Sequence, residues 1–258
     1  MTGLHVNIAY PRMTAEGFAF LAQQDLHPEF YFCGDSIDTI ERDVIEGFKK
    51  LVETKNFRST LHAPFYDLNI GSRDRSIRIA SLERLFWALE TAAILGSKIV
   101  VVHPGYSVAP GDTDIDSWLK RAELFLNKLI EHAASLKIKI AFENIYDNKP
   151  DYLCKLLQNT DASNTGICFD VGHYNIFSQI PMNEWFARFG SRIYECHLHD
   201  NDKSTDQHKA MGDGNIDYRP LIEWYNSLPA EQKPVLTLEQ PDKNHILKSI
   251  NLLRSWGI

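Results

Sequence analysis

The sequence predicts an α/β protein, a (β/α)8 barrel in a single domain over residues 1–258. Short β-branched or aromatic runs bounded by turn residues alternate with helical patterns from end to end, as in a buried parallel sheet with right-handed crossovers. Counting gives eight of each, and 258 residues matches the roughly 250 that one such barrel needs. An open doubly wound sheet shares this alternation. No G-x-G-x-x-G turn follows the first strand, however, which removes the best reason to choose it.

The elements follow in order. A strand over 4–9 leads to a helix over 14–24, and a strand over 29–32 to a helix over 37–54, with a short acidic loop, Gly34-Asp35-Ser36-Ile37-Asp38, after that strand. A strand over 58–62 precedes the clearest helix, 74–95, where Ile77, Leu82, Leu85, Phe86, Leu89 and Ala93 recur at helical spacing. Ser72 and Asp74 supply capping oxygens there, and Gly96 supplies the stop. A strand over 98–103 leads to a helix over 114–136, with Trp118, Ala122, Phe125, Leu129 and Ala133 on one face. Strands over 137–143, 165–170, 192–197 and 235–239 then alternate with helices over 151–158, 182–189, 220–226 and 245–253. No linker, low-complexity tract or composition break divides the chain.

Composition narrows the function. At 44% apolar, 11% aromatic and 24% charged, the chain falls outside the collagen, mucin, disordered and membrane classes. No run approaches the ~18 apolar residues of a membrane span. Met1-Thr2-Gly3-Leu4-His5 lacks the basic and apolar regions of a secretory signal. Cys33, Cys154, Cys168 and Cys196 form no C-x-x-C pair, so a reduced cytoplasmic protein is expected. Lys+Arg is 27 against 34 Asp+Glu, a net charge of −7, which argues against a nucleic-acid partner. A homo-oligomer is compatible with the sequence.

The polar residues are placed by a rule. Six of the eight strand runs end in a residue able to bind a metal: His62, His103, Glu143, Asp170, His197 and Glu239. In a barrel these ends converge on one mouth, where active sites are built. Each alone has an ordinary reading as a core histidine, a salt-bridge partner or a turn opener. Independent accidents would scatter such residues over both ends of the strands. Asp170-Val171-Gly172-His173 adds His173, and Asp206-Gln207-His208, before Gly212-Asp213-Gly214-Asn215, adds Asp206 and His208. Nine mixed imidazoles and carboxylates without thiolate suit Zn²⁺, Mn²⁺ or Fe²⁺, and could hold two or three ions. Phe65, Tyr66, Tyr106, Tyr146, Tyr174 and Phe177 follow strand ends and are candidates to line the mouth. Asn144, beside Glu143, is a candidate to orient a metal-binding carboxylate or to contact substrate, and Lys203 is a candidate substrate contact.

These residues identify a resemblance. Leu61-His62-Ala63-Pro64-Phe65, Val102-His103-Pro104-Gly105, Phe142-Glu143-Asn144, Phe169-Asp170-Val171-Gly172-His173, His197-Leu198-His199-Asp200, Asp206-Gln207-His208 and Leu238-Glu239 resemble the xylose-isomerase-like TIM-barrel superfamily. That superfamily includes sugar-phosphate isomerases and epimerases and the endonuclease IV type of apurinic endonuclease. The resemblance implies that Glu143, Asp170, His197 and Glu239 form the shared ligand set. It further implies that His62, His103, His173, Asp206 and His208 match the added ligands of the trinuclear zinc endonucleases. His199 stands where the matching motif, His-Leu-x-Asp, leaves the residue free, and is read as a substrate or supporting residue.

Two chemistries fit. Phosphoester hydrolysis would use two or three ions, with Glu143 bridging, on a small sugar-phosphate- or nucleotide-containing substrate. Aldose–ketose isomerisation or epimerisation would need one Mn²⁺, Mg²⁺ or Co²⁺, with Glu143 and Glu239 moving the proton through an enediol. The second leaves five candidate ligands idle, so hydrolysis is the preferred expectation. An apurinic-site endonuclease and a non-catalytic sugar- or metal-binding protein rank below both.

Overall fold

A computed structural model describes residues 3–10, 12–106, 114–158 and 160–258. The reading of the N-terminus starts on Met1 and Thr2, which lie outside the described residues. Eight parallel strands close into a barrel in chain order: β1 (His5–Ala9), β2 (His27–Tyr31), β3 (Thr60–His62), β4 (Ile99–Val102), β5 (Lys139–Glu143), β6 (Thr165–Asp170), β7 (Ile193–Leu198) and β8 (Val235–Leu238). Closure is made by β1 on β8 through His5↔Thr237 and Val6↔Leu238, and it leaves no sheet edge. The helices are α1 (Ala15–Gln24), α2 (Gly34–Thr39), α3 (Arg42–Thr54), α4 (Arg75–Leu95), α5 (Ile115–Ser135), α6 (Asp151–Leu157), α7 (Val171–Phe177), α8 (Met182–Phe189), α9 (Arg219–Ser227) and α10 (Lys243–Ser255). All eight strands expected from the sequence are present, and the fold is the TIM barrel.

Two expectations are corrected. The single helix over 37–54 is two helices, because Ile40 and Glu41 are extended, with ψ 126° and 146°. The acidic stretch read as a loop is thus α2. The second correction is α7, which follows β6 directly. Asp170 ends the strand and caps this helix, its Oδ1 accepting from the His173 backbone N–H at 2.6 Å. The cap turns His173 back over the barrel mouth.

One face of each strand packs outward on the helices. Leu61, Val100, Val102, Phe142, Phe169 and Leu198 meet Leu85, Leu89, Trp118, Leu129 and Trp185 in one core. Inside the barrel, Val101, Ala141 and Cys168 belong to a separate small cluster. The other side of the lumen is polar. Thr60 on β3 donates to Glu195 Oε1 on β7 at 3.1 Å, a bond between strands that are not neighbours, and Thr237 donates to the same oxygen. Asn7 donates to Glu29 Oε2 at 2.7 Å. Burial, reinforced by Glu29, pushes the Glu195 carboxyl up to about 8. The four cysteines are unpaired. Among the described residues no helix is long and apolar enough to cross a membrane.

Candidate metal centre

Side chains two apart on a strand share a face, so the residue two positions beyond a lumen-facing one reaches the mouth. Thr60 is followed in this way by His62, Glu195 by His197 and then His199, and Thr237 by Glu239. His62, Glu143 and Asp170 close their strands, while His103 and Glu239 stand one residue past β4 and β8. The mouth therefore gathers imidazoles and carboxylates from β3 to β8.

Glu143 is at the centre. Its Oε2 lies 3.2 Å from His62 Nε2, 3.1 Å from His103 Nε2 and 3.7 Å from His197 Nδ1, and its Oε1 lies 3.1 Å from His173 Nδ1. His197 Nδ1 also faces Glu239 Oε1 at 3.3 Å and Asp170 Oδ2 at 3.8 Å. On the third side, His173 Nε2 and His208 Nε2 lie 3.5 and 2.9 Å from Asp206 Oδ2. All nine residues expected to be ligands thus meet in one cluster.

Asp206 and His208 arrive from the loop after β7, which Asp200 pins. Its carboxylate accepts from the backbone N–H groups of Gly212 at 2.8 Å and Ile216 at 3.2 Å. Gly214 is required there, because a Cβ would stand 2.2 Å from Asp200 Oδ1 and from Asn201 O. His208 itself holds φ 48°, a sparsely populated conformation for a side-chain-bearing residue.

The tautomers matter most. His62 Nδ1 donates to Ala63 O at 2.8 Å, His208 Nδ1 to Glu239 O at 2.8 Å and His173 Nδ1 to Asn144 O at 3.1 Å. His197 Nε2 donates to Glu29 Oε1 at 3.3 Å. A neutral imidazole has one N–H and one lone pair. With the N–H spent outward, each ring aims its lone pair at carboxylate oxygen, an arrangement that is stable only with a cation between them. A proton or a metal ion fills that role. The buried Nδ1 of His197 has no hydrogen-bond partner. The donor set and this orphaned atom fit divalent metal binding, with outer acceptors fixing ring orientation as metal-bound histidines require.

In the ion-free protein protons take the cation's place. Burial opposes charge on every group, yet the carboxylates hold His62 up and His173 and His197 well up, with His208 up to about 9. Burial likewise raises Glu143, but His103 and His197 outweigh it and hold the carboxyl well below its usual range. Asp206 is held down against burial by His173 and His208. His103 goes the other way, because burial outweighs Glu143.

A cavity of about 600 Å³ opens above the cluster. Phe65, Tyr66, Tyr106, Tyr146 and Phe177 line it as expected, whereas Tyr174 packs on Phe169 at 5.6 Å. Tyr66 is 71% exposed at the rim. Among the described residues that line the cavity, none is Lys or Arg. The other three expected substrate contacts are off its wall. Asn144 is buried and brackets the Asp170 backbone, donating to its carbonyl at 3.0 Å and accepting from its N–H at 2.8 Å. His199 is buried beside Asp170, and Lys203 points to solvent from the loop after β7. Sequence reasoning missed Tyr31 on the cavity wall, and Glu29 and Asp200 beneath it. An acid opening the aromatic run Glu29-Phe30-Tyr31-Phe32 was the signal for Glu29.

Known proteins share this frame. The xylose isomerase-like TIM barrel family matches residues 15–256. An uncharacterized protein of Methanocaldococcus jannaschii is 30% identical over 203 residues, 76% of this chain and 69% of that relative. A probable endonuclease 4 of Malacoplasma penetrans is 25% identical over 238 residues, 83% of this chain and 81% of the relative. The crystal structure of a D-tagatose 3-epimerase-like protein has a TM-score of 0.82 at 25% identity, covering 98% of this chain and 96% of that one. With a match that runs through all but the first strand and the last two residues, the chain belongs to the xylose isomerase-like TIM-barrel family.

Proposed function

We propose that the protein is a divalent-metal-dependent enzyme that holds two or three ions, Zn²⁺ or Mn²⁺, and hydrolyses a phosphoester of a small sugar-phosphate- or nucleotide-containing substrate. The observation that carries this is the lone-pair arrangement at His62, His173, His197 and His208. It extends well beyond the four residues that a single-ion site uses. His62, His103 and Glu143 would hold one ion, Glu143, Asp170, His197 and Glu239 a second, and His173, Asp206 and His208 a third.

Such ions supply positive charge to phosphoryl oxygens and acidify the attacking water. The chain's own residues do the rest. Glu143 would contribute to two of these ion positions, while Glu29, Ala63 O, Asn144 O and Glu239 O hold the imidazoles in register. Tyr66 and Tyr146, both exposed on the cavity wall, offer faces for a sugar or base ring, while Phe65 is already stacked on His103 and Tyr31. A lining without Lys or Arg among its described residues, and a net charge of −7, favour a small substrate over duplex DNA.

The likeness to a D-tagatose 3-epimerase-like protein supports a second reading. One ion on Glu143, Asp170, His197 and Glu239 would polarise neighbouring sugar oxygens, and Glu143 and Glu239 would exchange the proton. Assays of the zinc- and manganese-loaded protein on bis(p-nitrophenyl) phosphate and on a ketohexose panel separate the two. Phosphodiester cleavage is expected. Ketose epimerisation without cleavage overturns the hydrolase reading.

A further inference from the structure

We propose that His199 is a tenth ligand, binding the third ion through Nδ1 beside Asp206 and His208. The inference rests on the multi-ion reading above and goes beyond it, since the family resemblance assigns this position no ligand.

His199 is fully buried on the mouth side of β7, two residues beyond His197. Its Nε2 lies 3.1 Å from Asp170 Oδ2 and 3.7 Å from Glu239 Oε2. Its Nδ1 has no hydrogen-bond partner and faces Asp206 Oδ1 at 3.5 Å. Both nitrogens therefore meet carboxylate oxygen, but a neutral ring has only one N–H to offer. With Nε2–H donated to Asp170, the Nδ1 lone pair is aimed at Asp206, the same signature found at His62, His173, His197 and His208. One ligand atom from each of His199, Asp206 and His208 lies within 4.8 Å of the others. The His199 and His208 rings are stacked, 4.0 Å apart and 3° from parallel, and each meets a different oxygen of Asp206, His199 Nδ1 facing Oδ1 and His208 Nε2 facing Oδ2.

The fold is cut to admit this ring. A Cβ on Gly172 would stand 1.9 Å from His199 Cε1. His199 would then tie two ion positions together: its N–H steadies Asp170 at the second while its lone pair serves the third. The third ion would have four protein ligands in place of three.

The test is the structure of the zinc-loaded protein together with chelator competition. Nδ1 of His199 within about 2.1 Å of the third zinc is the expected result. The His199→Gln variant keeps a donor near the Nε2 position and lacks the Nδ1 ligand. It is expected to release the third ion at least 10-fold more readily while retaining the other two, as measured by zinc content and chelator titration. A wild-type structure with three zincs and Nδ1 more than 3 Å from all of them overturns the inference alone, as does ligation through Nε2. A wild-type protein that holds one ion overturns both this inference and the multi-ion reading. Because the wild-type measurement decides by itself, a His199→Gln protein that fails to fold does not block the test.

Discussion

Replacing Glu195 with Gln tests whether the lumen electrostatics are understood. Glu195 is fully buried, its Oε1 takes two threonine hydroxyls and its Oε2 has no partner. Burial and the neighbouring Glu29 move its carboxyl from an ordinary 4.5 up to about 8. The folded protein keeps this proton up to about pH 8, whereas the unfolded chain loses it near 4.5. The contribution is therefore whole below 4.5 and is lost as pH rises between the two values. At 1.36 kcal/mol per unit, the loss is about 3 kcal/mol at pH 7 and about 5 kcal/mol above pH 8. Glutamine has the same shape, keeps an oxygen for Thr60 and Thr237, and carries no charge at any pH. Urea unfolding of ion-free wild type and Glu195→Gln between pH 5 and 8.5 should show similar stabilities at the acid end. The variant should then lead by a few kcal/mol near neutrality. A difference that does not change with pH, or one that favours the wild type as pH rises, refutes the reasoning.

Ion affinity should fall as pH falls, because His62, His173, His197 and His208 must each lose a proton to bind metal and the carboxylates hold those protons firmly. It should keep rising to about pH 9, where His208 titrates, and zinc binding near pH 7 should release protons measurable by calorimetry in two buffers; a flat affinity between those values contradicts this. His208→Ala is expected to remove one ion and abolish phosphoester cleavage, with the other ions retained in elemental analysis; unchanged cleavage rates count against the third ion. Asn144→Ala strips both hydrogen bonds from the Asp170 backbone. It should weaken the second ion by roughly 10- to 100-fold in chelator titrations, and an unaltered titration shows that Asp170 is held by the strand alone.

The barrel was legible because each strand is a short apolar run and the helices carry continuous stripes. The ligand positions were legible because apolar runs that end abruptly in His, Asp or Glu have one geometric meaning in a closed parallel barrel. The lumen was not. Glu29 and Glu195 sit in strands that read as simply buried, and only the closed barrel sets Glu29 opposite Thr60 and lets Glu195, which pairs with Val235, take hydrogen bonds from Thr60 and Thr237. Helix α7 escaped because Val171 and Gly172 are poor helix formers at the start of a seven-residue segment; the Asp170 cap three residues before His173 was the available signal. The break between α2 and α3 leaves no proline or glycine at Ile40-Glu41, so continuous periodicity hid it. His199, from strand alternation, and Asn144, from its place beside Glu143, read as supporting or substrate residues, because neither signal gives depth. Both are buried off the cavity wall, where His199 Nε2 meets the Asp170 carboxylate and Asn144 bonds the Asp170 backbone.

The most direct measurement is elemental analysis of the purified, dialysed protein. Two or three divalent ions per chain, removed by a chelator together with catalytic activity, is the result the proposed function predicts. A chain that binds one ion or none under saturating zinc and manganese would mean that the gathered imidazoles and carboxylates are balanced by protons alone.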